Sequence, residues 1–168
     1  RFVGLVILIS RFKVAQNKKS LDTKAQKEIF DFYMKNLYAQ RVNNWDLIDS
    51  TAPYLGYYLL GRPGTTKLLN QLASSESLWE RRAAVMFTFA FIREFELDAT
   101  LKLCKKLLND EHDLMHKACG WMLRELGKQD LGALREFLDA NVKKMPRTML
   151  RYSIEKMSER ERKEWLKR

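Results

Sequence analysis

Cysteine and histidine are scarce in this chain. Its 168 residues include only 2 of each. Cys104 and Cys119 lack CxxC spacing, which favours neither a disulfide framework nor a zinc cluster and is typical of a reducing compartment. The sequence also lacks a Gly-rich phosphate loop and a nucleophile elbow, so it gives no support to hydrolysis by a cofactor or a Ser/Cys triad. We therefore expect no cofactor, no metal and a cytoplasmic protein.

Glycine and proline are also few, at 7 and 3 residues. This argues against an all-β fold, in which each turn needs such residues, and favours long helices. The apolar run Phe2–Ile9 is too short to span a bilayer, so no membrane partner is expected. Arg11 and Lys13 follow it where a signal peptide would have small residues. We interpret the run as a buried helix at the start of a truncated chain.

The remaining pattern is one helix after another. Predicted helices are Leu21–Tyr38, Trp45 to about Thr51, Thr65–Ala73, Leu78 to about Glu94, Asp98 to about Asp110, Asp113 to a stop at Gly127, Leu131–Val142, and a last one from Pro146, in its first turn, through Met157. About ten short helices are more typical of an α-solenoid than of a single bundle. The spacing of Trp45, Arg82 and Trp121 comes close to the roughly 40–47 residues of HEAT-type repeats. We predict an all-α solenoid forming a single domain over residues 1–168.

Positive charge dominates the composition. The chain carries 31 Lys and Arg against 21 Asp and Glu, a net charge of +10. Such an excess indicates a polyanionic partner, although a merely soluble basic protein is the alternative. Because the excess is spread along the chain, a polyanion would bind to the folded surface.

Trp45 and Asp49 form the first pattern with chemical potential, within the segment NNWDLID. At spacing i, i+4 they share one helix face. An indole face and a carboxylate together can stabilise a cation. The alternative is a core tryptophan beside a solvated aspartate.

Arg81 and Arg82 form the second pattern, at the start of the most apolar predicted helix. Arginine suits forked contacts with phosphate or carboxylate. Positive charge at a helix N-terminus opposes the helix dipole, so we expect at least one of the two to have a partner.

Two further basic segments lie in the second half of the chain. Gly120 inside a helix indicates close approach of another helix or a ligand, and Lys117, Trp121 and Arg124 share one side of that helix. Downstream, Arg147 and Arg151 at i, i+4 could contact successive phosphates or simply be solvated.

His112 and His116 resemble the HExxH zinc motif, with Asp113 in place of the glutamate. A third histidine is lacking, so a metalloprotease is a weak alternative. We expect Asp113 to start the helix and one histidine to be packed.

Across these motifs the sequence resembles the DNA alkylation repair family, the HEAT-repeat alkylpurine DNA glycosylases. The resemblance rests on NNWDLIDSTAP (43–53), LWERRAAV (78–85), DEHDLMHKACGWMLRELGK (110–128) and MPRTMLRYSIE (145–155). It implies a curved α-solenoid with a basic concave face that grips duplex DNA. It also implies further helices before Arg1, so that this chain is N-terminally truncated relative to the family.

The resemblance further implies hydrolysis of the N-glycosidic bond of cationic alkylated purines, of the 3-methyladenine and 7-methylguanine type, by a monofunctional enzyme. Asp49 would match the family's catalytic carboxylate, Trp45 and Trp121 its active-site aromatics, and Arg82 its site arginine. The predicted DNA-binding residues are Arg81, Lys117, Arg124, Arg147 and Arg151. The expected partner is duplex DNA with alkylated bases, bound by a monomer that would associate with the nucleoid if the source is bacterial. A non-catalytic repeat module that binds DNA or protein is the main alternative.

Overall fold

The computed structural model describes residues 1–17 and 20–168, and within them the chain is helical without any β-strand. Its helices are α1 (Phe2–Ala15), α2 (Thr23–Tyr38), α3 (Trp45–Asp49), α4 (Ala52–Leu55), α5 (Thr65–Ala73), α6 (Leu78–Arg93), α7 (Asp98–Lys106), α8 (Asp113–Gln129), α9 (Leu131–Asn141), α10 (Arg147–Ser153) and α11 (Glu159–Lys167). Short 3₁₀ turns follow α4 and α9. The predicted all-α class is confirmed, and the helices pack on one another as a helical-repeat fold requires. In the described ranges, no helix is both long and apolar enough to cross a membrane.

The chain forms two compact units, residues 1–90 and residues 91–168. In a helical-repeat array most contacts join neighbouring repeats, so compact groups of helices are expected within one domain. The single domain over residues 1–168 stays a prediction.

Unit 1 is built around aromatic side chains from several helices. Phe30 of α2 stacks on Tyr58, with ring centroids 4.5 Å apart, and also contacts Phe87 of α6. Gly56 allows this packing, since a Cβ there would lie 2.1 Å from the carbonyl oxygen of Phe87. The 3₁₀ turn after α4 and helix α6 therefore touch backbone to backbone.

The interpretation of Phe2–Ile9 as a buried helix is wrong in part. The segment is helical, but α1 continues to Ala15 and buries only Ile9, Phe12 and Ala15. Phe2, Val3, Val6 and Ile7 are exposed. Three buried positions at spacings of three make one narrow contact stripe against α2 and α4, so the rest of this apolar helix faces outward.

Unit 2 is centred on α8, which packs against α7, α9 and α10. Gly120 lies where α8 and α10 meet: a Cβ there would be 2.5 Å from Tyr152 Cβ and 2.7 Å from the Met149 carbonyl oxygen. Of the two expectations for Gly120, approach of another helix is the one observed.

The predicted helix stop at Gly127 is wrong, because α8 runs on to Gln129. Gly127 instead accommodates Leu134 of α9, whose Cδ2 would lie 2.4 Å from an added Cβ. Asp130 ends α8 and also begins α9, with its carboxylate accepting a hydrogen bond from Ala133 N at 2.9 Å. The N-cap residue Asp130 is therefore a better indicator of the boundary between α8 and α9 than Gly127 is.

Two other predicted helices are shorter than expected. The helix beginning at Asp98 ends at Lys106, before the predicted Asp110. The last predicted helix begins at Arg147, with Pro146 as its N-cap residue, and ends at Ser153. A separate helix, α11, forms in the charged tail and buries Trp165.

Candidate active site

Asp49 and Arg82 form a bidentate ion pair within unit 1. Arg82 Nε donates to Asp49 Oδ1 at 2.9 Å, and Arg82 Nη2 donates to Asp49 Oδ2 at 2.7 Å. The guanidinium side chain is only 4% exposed and the carboxylate side chain 14%. Forked pairing offsets the desolvation of both groups and holds the carboxylate in one orientation. The expectation that one of the two arginines has a partner is therefore met by Arg82.

Local sequence positions Asp49 at the end of a very short helix. Asn44 caps α3, and its Oδ1 accepts a hydrogen bond from Trp45 N at 2.8 Å. Leu47 and Ile48 are buried and anchor the helix to the core. This anchoring directs Asp49 toward Arg82, on the second turn of α6.

Trp45 opens the same helix and is 52% exposed. The alternative of a core tryptophan beside a solvated aspartate is therefore contradicted at both residues. A single exposed aromatic side chain is ordinary by itself, so what distinguishes Trp45 is its position four residues before a shielded carboxylate.

Tyr33 of α2 lies fully buried in unit 1 and is a residue that the sequence analysis did not single out. Its hydroxyl is 3.1 Å from that of Thr51, which in turn donates to Leu47 O at 2.6 Å. Burial raises the pKa of Tyr33 well above its usual range, and the negative charge of Asp49 adds to the rise. The phenol therefore stays neutral and contributes packing and hydrogen bonding under the site.

Arg81 makes contacts within its own neighbourhood. Its Nη1 donates to the carbonyl oxygens of Ser75 and Glu76, at 2.9 and 2.8 Å. These bonds tie the side chain to the segment that leads into α6. The predicted DNA contact of Arg81 stays a prediction, and the structure adds a local structural role.

Trp121, in unit 2, lies half-buried on α8. Its indole Nε1 donates to Glu125 Oε1 at 3.1 Å. Lys128 Nζ lies 2.8 and 2.7 Å from the two oxygens of the same carboxylate. The i, i+4 spacing of Trp121 and Glu125 could have revealed this contact in the sequence, where it was missed.

The predicted DNA-binding residues of unit 2 differ in their surroundings. Lys117 pairs with Asp113 at 2.7 Å, Arg124 pairs with Glu155, and Arg147 Nη2 donates to Leu166 O at 2.8 Å. Arg151 is exposed on α10. Phosphate contact by these four residues stays a prediction, and the exposed side chain of Arg151 makes it the strongest candidate.

The two histidines of the zinc-like motif serve local structure. His112 caps α8 by accepting a hydrogen bond from Leu114 N at 3.1 Å, and His116 Nε2 contacts the carbonyl oxygen of Asp110. Asp113 is the first residue of α8, as expected. Among residues 1–17 and 20–168, no cluster of three or more histidine, cysteine or acidic side chains could hold a metal ion.

Comparison with known protein families gives one match over most of the chain. A family model described as DNA alkylation repair enzyme matches residues 1–157. The comparison with curated proteins finds no match. The matched region includes Trp45, Asp49 and Arg82 in unit 1 and Trp121 in unit 2.

Proposed function

Since the chain belongs to the DNA alkylation repair enzyme family, we propose that it is a monofunctional DNA glycosylase for cationic alkylated purines in duplex DNA. The observation that carries the proposal is the Asp49–Arg82 pair, a shielded carboxylate fixed at both oxygens. Trp45 supplies an exposed indole on the same short helix. A carboxylate and an electron-rich ring suit a reaction in which positive charge grows on the substrate.

Hydrolysis of the glycosidic bond of a cationic purine requires few catalytic groups, because the base is already a good leaving group. A purine alkylated at a ring nitrogen is already positively charged and leaves with the bonding electrons of the glycosidic bond, which neutralises it. As that bond breaks, positive charge grows on the deoxyribose, until water bonds to C1′ and releases a proton to the solvent. An enzyme for this reaction must stabilise that charge and position the water, whereas acid catalysis of departure is not needed.

The proposed roles follow from these demands. The carboxylate of Asp49 stabilises the developing cation and orients the water. Arg82 holds both oxygens of that carboxylate and so fixes its position. Trp45 presents its ring face to the sugar cation. Trp121 has an aromatic role in the reaction by resemblance to the family alone.

The test is release of methylated purine from methylated duplex DNA by the purified chain. We expect 3-methyladenine and 7-methylguanine in the soluble fraction, with no strand cleavage before alkaline treatment. Unmodified duplex DNA of the same sequence is the control. Binding of the methylated duplex without release of base would overturn the glycosylase and favour a non-catalytic DNA-binding module.

A further inference from the structure

Glu125 stands out among the acidic side chains of unit 2 because it accepts hydrogen bonds from two side chains and forms an ion pair with a third. It accepts the indole N–H of Trp121 at 3.1 Å and both contacts of Lys128. Arg124 Nε lies 3.5 Å from Oε1. The side chain of Glu125 is only 15% exposed. Its carboxylate is therefore held in place and can fix the indole N–H that it accepts.

What it fixes is the orientation of the Trp121 ring. A half-buried indole on a helix surface can otherwise turn about two side-chain bonds. A hydrogen bond from Nε1 to a carboxylate that is itself held by two cations removes that freedom. Active sites depend on such support, because displacing a group by about 1 Å can cost on the order of a hundredfold in rate.

We propose that Glu125 is a positioning residue, which holds the Trp121 indole in the orientation needed for glycosidic bond hydrolysis. The assignment rests on the proposed function of Trp121. It gives Glu125 no contact with the substrate. The contribution of Glu125 therefore falls on the rate of base release rather than on duplex binding.

Two substitutions separate the hydrogen bond from the charge. Glu125→Ala removes the acceptor, whereas Glu125→Gln keeps an oxygen that accepts the indole N–H. Glu161→Ala is the matched control, because Glu161 makes the same kind of contact with Trp165 and an ion pair with Arg135. Trp165 has no part in the proposed site.

The first readout is independent of activity. In protein labelled with ¹⁵N-tryptophan, the indole resonance of Trp121 is identified by its loss in Trp121→Phe. We expect Glu125→Ala to shift that resonance and speed its exchange with water, and Glu125→Gln to leave both close to those of the parent. Glu161→Ala should move the Trp165 resonance alone.

The second readout is base release in single turnover with excess protein. We expect Glu125→Ala to slow release by about tenfold or more, with an unchanged duplex dissociation constant, and Glu125→Gln to come within twofold of the parent. Glu161→Ala should leave the rate unchanged. An unmoved Trp121 resonance, or an unchanged rate in Glu125→Ala, overturns the positioning role alone. If the parent releases no base, the proposed function fails and the role of Glu125 fails with it.

Discussion

Arg82 approaches Asp49 side-on, so that each carboxylate oxygen has its own guanidinium nitrogen, at 2.9 and 2.7 Å. The two residues are 33 positions apart, one at the end of a five-residue helix and the other near the start of a long one. An aspartate in this position cannot rotate away without losing two charge-assisted hydrogen bonds. Rigidity of this kind is expected where a charge must face a short-lived cation.

Asp49→Asn tests the charge of the carboxylate with little change in shape. The amide oxygen still accepts one hydrogen bond from Arg82, so we expect the variant to fold and to bind duplex DNA. Base release should slow by an amount equivalent to roughly 2.7–4 kcal/mol, the usual loss when one preorganised electrostatic group is removed. Single-turnover release at a temperature well below the unfolding transition measures the effect.

Asp46→Asn is the matched control for that measurement. Asp46 lies on the same helix, and its Oδ1 accepts a hydrogen bond from Leu47 N rather than from an arginine. We expect release within about twofold of the parent. Equal rates for the parent and Asp49→Asn would remove Asp49 from the mechanism.

The ion pair should also contribute to stability. Arg82→Met leaves the shielded carboxylate without its guanidinium, and we expect a loss of about 3 kcal/mol in the free energy of unfolding. Adding Asp49→Asn removes the unpaired charge, so the double variant should lose less than the sum of the single variants. Urea denaturation of all four proteins gives the coupling energy.

Lys102→Met provides the surface comparison, since Lys102 and Asp98 form an exposed i, i+4 pair at 3.2 Å. Its effect should stay within about 0.5 kcal/mol. Strict additivity at Asp49 and Arg82 would show that the pair contributes no more than two independent side chains.

Gly120→Ala should destabilise the protein although alanine favours helices. A Cβ at this position would come within 2.7 Å of the Met149 carbonyl oxygen, so α8 and α10 must separate. Overpacking of this kind costs about 1–3 kcal/mol, against roughly 1 kcal/mol gained in helix propensity. Gly4→Ala in α1 is the control, since nothing lies within 4 Å of its added Cβ. We expect Gly4→Ala to raise the melting temperature and Gly120→Ala to lower it; the reverse order would contradict the packing.

Arg151→Ala should weaken duplex binding and flatten its dependence on salt. Each lost phosphate contact lowers the magnitude of the log–log salt slope by about 0.9. Arg160→Ala, which removes an exposed arginine outside the matched residues 1–157, is the control. Fluorescence anisotropy with a labelled duplex between low and moderate salt measures both slopes. A parent slope near zero would argue against phosphate contacts altogether.

Much of the helical architecture could be predicted because local signals agreed with one another. The helix Thr65–Ala73 has the predicted bounds, and α6 starts at the predicted Leu78 and ends one residue early. The errors arose where tertiary packing determines where a helix ends or which of its faces is buried. In the local sequence Gly127 resembles a residue that ends a helix. In the structure it lies within α8, where the close approach of Leu134 leaves no room for a larger side chain. The exposure of α1 depends on which helices cover it, which an apolar run does not encode.

The candidate site was only partly readable for the same reason. The conflict between the two arginines and the helix dipole predicted a partner for at least one of them. That Asp49 is the partner of Arg82 depends on how α3 and α6 pack, and no spacing in the sequence predicts this packing. Glu125 is the opposite case, because its distance of four residues from Trp121 is present in the sequence, but the same spacing is common between ordinary neighbours on a helix surface.

Asp130 is the single residue between α8 and α9. No flexible linker separates the two helices at this corner. A movement of α9, which carries Leu134, would therefore also move α8, which carries Trp121. Lengthening this corner by two or three glycines would release that constraint without changing the sequence of either helix.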